Sequence, residues 1–163
     1  MTQDPVLEAK SIALRYLTGA PRTRQQIEDK LREKEVDGDI IANLVERFER
    51  VGLIDDADYA HRFVENRSRM KGLGKAALRR DLKAKGVDDA LIEETLAEIE
   101  PADEAELARE LVSRKLPRPE QLQDFEGREK AKRRLVSMLM RKGHSMGTAI
   151  GVVEEKLQEA LAE

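Results

Sequence analysis

The sequence predicts an all-α protein, an elongated and curved array of three tandem three-helix repeats of helix-turn-helix-like form. Three observations lead there. Apolar residues recur at helical spacing, as in Ile40, Ile41, Leu44, Val45, Phe48 and Val51 or in Tyr59, Ala60, Phe63 and Val64, and no alternating run competes with them. Of the 163 residues, 39% are charged and only 3% aromatic, with no Trp, a mixture suited to packed helices rather than sheets. The third observation is that the chain repeats itself.

Displaced by 51 residues, "TRQQIEDKLREKEVDGDIIANLVERF" lies over "GKAALRRDLKAKGVDDALIEETLAEI". Ile27 then meets Leu78, Leu31 meets Leu82, Lys34 meets Lys85, and Val36 and Asp37 meet Val87 and Asp88. A further displacement of 57 brings Leu78, Leu82, Lys85 and Gly86 onto Leu135, Leu139, Lys142 and Gly143. The shared phrase is L-x-x-x-L-x-x-K-G, two core positions one helical turn apart followed by a helix stop. The expected repeats are residues 1–52, 53–100 and 101–163. A unit of about 50 residues buries a thin core alone, so neighbouring units are expected to stabilise one another.

In the first repeat, Asp4 before Pro5 caps a helix expected over residues 7–18, with proline at a position that needs no amide. Thr23 followed by Gln26 is a capping box for the second helix, which carries Ile27 and Leu31. Glu35 stands at the stop position held by Gly86 and Gly143 in the other repeats. The third helix ends at Gly52. Asp55 and Asp58 offer acidic caps to a helix over Asp56–Lys71, where capping and dipole stabilisation account for the acids better than metal binding or catalysis. "GLG" at 72–74 reads as a local tight turn before the next helix. In the third repeat, a helix over residues 104–115 is followed by an inserted surface loop, "LPRPEQLQDFEG" at 116–127, and then by the helix of Leu135 and Leu139.

The net charge of −3 conceals strong segregation. Nine bases stand against Glu65 and Asp81 between Arg62 and Lys85, nine acids and no base lie between Asp88 and Glu106, and seven bases stand against Glu129 between Arg128 and Lys142. At 100° per residue, Lys75, Arg79, Arg80 and Lys83 fall away from Leu78 and Leu82. Lys130, Arg134 and Arg141, with Arg133 beside them, fall opposite Leu135 and Leu139. With regularly rotated repeats these stripes merge into a basic surface suited to phosphate backbones or an acidic protein groove.

Other chemistry is missing. With no Cys there is neither a disulfide nor a thiolate metal site, and a reducing compartment is permitted. His61 and His144 have no metal-ligand spacing, and "GLG" is too short for a phosphate-binding motif. Met138, Met140 and Met146 read as core filling. The expected protein is no enzyme, takes no cofactor or metal, crosses no membrane and is cytoplasmic and monomeric.

The stretch "GLIDDADYAHRFVENRSRMKGLGKAALRRDLKAKGV" resembles the central signature of the RecX family, the regulatory proteins of the bacterial RecA recombinase. The likeness rests on the acidic pair before an aromatic-Ala step, Arg67, the Gly72 and Gly74 turn and the L-x-x-x-L-x-x-K-G phrase, and it extends over nearly the whole chain. It implies a non-enzymatic modulator, acting in DNA recombination, DNA repair and the SOS response, that binds the groove of the RecA nucleoprotein filament and limits filament growth, ATP hydrolysis and strand exchange. Arg67, Arg69, Lys71, Lys75, Arg79, Arg80, Lys83, Lys130, Arg133, Arg134 and Arg141 are the expected contacts, with weaker contact to single- or double-stranded DNA. The alternative is a direct DNA-binding protein using its basic helix-turn-helix-like units, and a third reading is a helical scaffold for another acidic partner.

Overall fold

A computed structural model describes residues 4–162; the first three residues of the amino-terminal stretch and Glu163 lie outside the described residues. Among the described residues there are nine α-helices, one 3-10 turn and no strand. The helices are α1 (Pro5–Gly19), α2 (Arg24–Glu33), α3 (Gly38–Arg50), α4 (Asp56–Lys71), α5 (Lys75–Ala84), α6 (Asp89–Ala97), α7 (Pro101–Lys115), α8 (Phe125–Arg141) and α9 (Met146–Ala162).

The starts follow from their caps. The Val6 amide donates to Asp4 Oδ1 at 2.9 Å with Pro5 at the first helical position. At α2 both arms of the capping box are made, Thr23 N to Gln26 Oε1 at 3.0 Å and Gln26 N to Thr23 Oγ1 at 3.2 Å. The Asp58 amide donates to Asp55 Oδ1 at 3.0 Å, so Asp55 caps α4. Helix α7 begins at Pro101, three residues before the expected Glu104, because proline there is preorganised for a first turn.

The stops of α2, α5 and α8 share one motif. After α2, Glu35 N donates to Arg32 O and Val36 N to Leu31 O; after α5, Gly86 N donates to Lys83 O and Val87 N to Leu82 O; after α8, Gly143 N donates to Met140 O and His144 N to Leu139 O. This is the Schellman pattern, which needs a left-handed residue just past the helix. Gly86 and Gly143 supply it at φ 87° and 95°, and Glu35 supplies it at φ 62° as the one non-glycine with positive φ among the described residues. The departure at Glu35 therefore leaves the turn geometry intact.

The chain divides into two compact units, one formed by residues up to Phe63 together with Asp81–Thr95, the other by Val64–Arg80 together with residues from Leu96 onward. In the first, Ala9, Ala13, Ile27, Leu31, Ile41, Leu44, Val45, Phe48 and Ile54 form the core. In the second, Ala108, Val112, Leu122, Ala131, Leu135, Leu139, Ala149, Val152, Val153 and Leu157 do so. Leu122 changes the reading of the 116–127 insertion. Pro119–Leu122 form a 3-10 turn that buries Leu122 at 1% exposure, and α8 already begins at Phe125. The segment is exposed along most of its length but is anchored by one core side chain.

Candidate functional site

Helix α5 buries Ala77, Leu78 and Leu82, and this turns Arg79, Arg80 and Lys83 outward while Lys75 sits half-buried at its start. Helix α8 buries Ala131, Leu135 and Leu139 and exposes Lys130, Arg133, Arg134 and Arg141. On α4, Arg69 and Lys71 are exposed and Arg67 is half-buried. Ten of the eleven expected residues fall in the second compact unit; Lys83 falls in the first.

Their electrostatic environments differ. Arg69 pairs with Glu65 at 3.0 Å, one helical turn back, and Lys83 stands 3.7 Å from Asp89. Both pairs are solvent-exposed, so each is worth at most about 1 kcal/mol and is readily exchanged for a stronger anion. Lys71, Lys75, Lys130, Arg133, Arg134 and Arg141 make no side-chain ion pair among the described residues. Two further bases on α8 are engaged structurally. The Arg128 guanidinium donates to the Leu122 and Gln123 carbonyls at 3.1 and 3.0 Å. Lys132 donates to Glu154 on α9 at 2.8 Å, and that hydrogen bond with its charge raises the ammonium pKa above its ordinary value.

The turn between α4 and α5 is held from outside its own segment. Gly74 N donates to Lys142 O at 2.8 Å and Ala76 N to Gly143 O at 3.2 Å. The backbones approach so closely that a Cβ on Gly74 would stand 2.6 Å from the Gly143 carbonyl, and one on Gly143 would stand 2.4 Å from Ala77 N. His144 is buried at 3% exposure, and its Nε2 donates to the Gly72 carbonyl at 2.8 Å, which leaves Nδ1 as the buried nitrogen 4.0 Å from Glu104 Oε1. The same Glu104 oxygen accepts from Lys75 N at 3.3 Å and thereby caps α5. The glycines of "GLG" thus serve a long-range interlock as well as a local turn, and the interlock sets the α4–α5 turn, which Arg69, Lys71 and Lys75 flank.

A related junction lies within the first unit. Thr23 Oγ1 donates to Lys85 O at 2.6 Å, and a Cβ on Gly86 would meet the Gln25 side chain at 2.3 Å. Thr23 and Gly74 are 51 residues apart, and Lys85 and Lys142 are 57 apart, so corresponding positions make the two junctions.

Sequence reasoning missed His144, Glu104 and Lys142, whose signal was confined to the alignment of Lys142 and Gly143 with Lys85 and Gly86. It also misplaced two methionines. Met138 is half-buried against the second core, but Met140 is 42% and Met146 57% exposed. Met140 sits a residue past the buried Leu139, and Met146 opens α9 ahead of its buried face at Ala149, Val152 and Val153, so neither reaches the core. Among the described residues no group of three His, Asp or Glu side chains could hold a metal ion, and no helix is long and apolar enough to cross a membrane.

Comparison with known proteins agrees across most of the chain. The family models described as "RecX, first three-helix domain" and "RecX, second three-helix domain" match residues 9–48 and 55–96. The chain is 45% identical over 157 residues to "Regulatory protein RecX" of Streptomyces lividans, covering 96% of this chain and 81% of that one. It is 41% identical over 150 residues to the protein of the same name in Mycolicibacterium smegmatis, covering 92% and 80%. Its fold is similar to the crystal structure of RecX from Lactobacillus salivarius, with a TM-score of 0.83 and 25% identity over 93% of this chain and 96% of that one. With two family domains matched in order and relatives aligned over 92–96% of this chain, the chain belongs to the RecX family of regulatory proteins.

Proposed function

We propose that this protein is a non-catalytic, cytoplasmic regulator that binds the RecA–single-stranded DNA filament in its groove and limits filament growth, ATP hydrolysis and strand exchange, acting in recombination, repair and the SOS response. The observation that supports this reading most directly is the set of exposed cations on α8, Lys130, Arg133, Arg134 and Arg141, which turn away from buried leucines and have no ion-pair partner among the described residues. Further cations stand on α5 (Arg79, Arg80 and Lys83) and α4 (Arg67, Arg69 and Lys71), with Lys75 at the interlocked turn; of these Arg69 and Lys83 are held only by exposed pairs with Glu65 and Asp89.

The physical mechanism is additive. A filament groove presents DNA phosphates and protein subunits at regular intervals, and a monomer built of tandem repeats makes several weak contacts whose combined strength comes from effective concentration. To change filament activity, the protein must bind one filament state better than another, because equal affinity shifts nothing. Cations engaged on the filament release counterions, so the affinity falls as salt rises.

A titration of the protein against bare single-stranded DNA, free RecA and RecA assembled on single-stranded DNA tests the proposal. Tightest association with the assembled filament, together with reduced ATP hydrolysis, is the expected result. Comparable affinity for bare DNA would favour direct DNA binding, and unchanged RecA activity at saturating protein would refute the regulator.

A further inference from the structure

The first unit carries a basic pocket apart from the faces discussed above. Between α1 and the end of α2 lies an open groove of about 320 Å³ lined by Ile12, Arg15, Tyr16, Lys30 and Lys34, three cations and no acid. Arg22 stands at the same place, its guanidinium carbon 4.0 Å from the Tyr16 ring centre and its Nε donating to the Tyr16 carbonyl at 3.3 Å. Lys30 Nζ lies 5.4 Å from the same ring. None of Arg15, Arg22, Lys30 and Lys34 forms an ion pair among the described residues, although Asp29, Glu28 and Arg32 on the same helix are all paired.

Helix-terminus electrostatics account for only part of this arrangement. Lys30 and Lys34 lie at the end of α2, where cations offset the dipole. They are nevertheless spaced four apart on one face, where like charges repel, and the dipole of α2 gives no reason for Arg15 to approach from α1. Cations gathered without a counter-charge are compensated when an anion enters. Tyr16 adds a half-buried phenol, and an aromatic side chain among cations is the composition of sites that hold the backbone of single-stranded nucleic acid.

We propose that the Arg15–Tyr16–Lys30–Lys34 pocket binds a phosphate of single-stranded DNA, Arg15 gripping its oxygens in the fork geometry suited to phosphate and the two lysines neutralising it. This is a site for free DNA that uses none of the α5 or α8 residues, and its test contains no RecA.

Fluorescence anisotropy of a labelled oligothymidylate of about 16 nucleotides, titrated with the full chain at several salt concentrations, reads it out. In the R15A/K30A/K34A variant the low-salt affinity should fall more than about tenfold, and the slope of log K against log salt should become shallower by about 2. R15Q/K34Q, which alters only exposed side chains, should retain the wild-type helical spectrum and melting and lose part of the same slope. Wild-type affinity and slope in R15Q/K34Q, or no oligonucleotide binding by the wild type, overturns the proposal. Displacement of the oligonucleotide by inorganic phosphate at equal phosphate concentration also overturns it, in favour of a small phosphate-bearing ligand.

Discussion

At Glu35 a side chain occupies a backbone region that normally belongs to glycine. At φ 62° an L-residue forgoes about 1–2 kcal/mol relative to glycine, and glycine returns roughly 0.5–1 of that through its freer unfolded chain. Glu35→Gly is therefore expected to stabilise the protein by about 0.5–1 kcal/mol, seen as a higher urea midpoint at unchanged slope. Asp56 presents a different balance. Burial holds its carboxyl above the usual carboxylate range, Glu49 and Asp55 push the same way, and the Arg24 amide, donating at 2.9 Å, favours the charged form without prevailing. The folded state thus holds this proton more tightly than the unfolded state, so the contribution is present below the unfolded pKa and is lost as pH rises through the folded one. Asp56→Asn keeps the acceptor for Arg24 and removes the titration. The melting temperature of the wild type, measured against that variant, should fall as pH is raised from about 3 to about 6. The acid's preference for a helix start was evident from "LIDDADYA", but not which helix: Asp55 caps its own α4, whereas Asp56 caps α2. Spacing reveals a local cap and is blind to an amide 32 residues away.

At the scale of elements, the Schellman stops explain the repeated phrase. In L-x-x-x-L-x-x-K-G the second leucine is both a buried side chain and the carbonyl that accepts the closing hydrogen bond, and the glycine is the left-handed residue that closes the turn. Two of these turns also receive the start of another helix. Gly52 and Gly143 therefore make an instructive pair. Both have positive φ, but a Cβ on Gly52 meets nothing within 4 Å, whereas one on Gly143 would overlap Ala77. Gly52→Ala is expected to cost about 0.5–1 kcal/mol, the left-handed penalty of about 1–2 less the roughly 0.5–1 that the stiffer unfolded chain of alanine returns. Gly143→Ala adds roughly 1–3 kcal/mol for displacing packed backbone, and chemical denaturation of the two variants should show that difference. Equal losses would mean that the interlock yields at no cost.

At the scale of the molecule, charge sorted by helix is the property on which the proposed function rests. If α5 and α8 touch one filament, reversing Arg79, Arg80 and Lys83 to Glu and reversing Lys130, Arg133 and Arg134 to Glu should each weaken filament binding by about tenfold. Combined, they should weaken it by about a hundredfold where the two sets of contacts contribute independently, because independent contributions add in free energy. Far-UV circular dichroism should stay unchanged, since these side chains are exposed. A combined loss no larger than the greater single loss would show that the two faces do not contribute independently to filament binding.

By itself the sequence determined the helices, their core-facing residues, most caps and stops, and the sorting of charge, because each depends on residues within one or two helical turns. Only the tertiary structure decided what those features meet. It set Gly74 against Gly143, sent Asp56 to α2, buried Leu122, exposed Met140 and Met146, and drew Arg15 beside Lys30 and Lys34. These are contacts between segments remote in sequence, and a partner chosen by packing leaves no periodic trace in either segment.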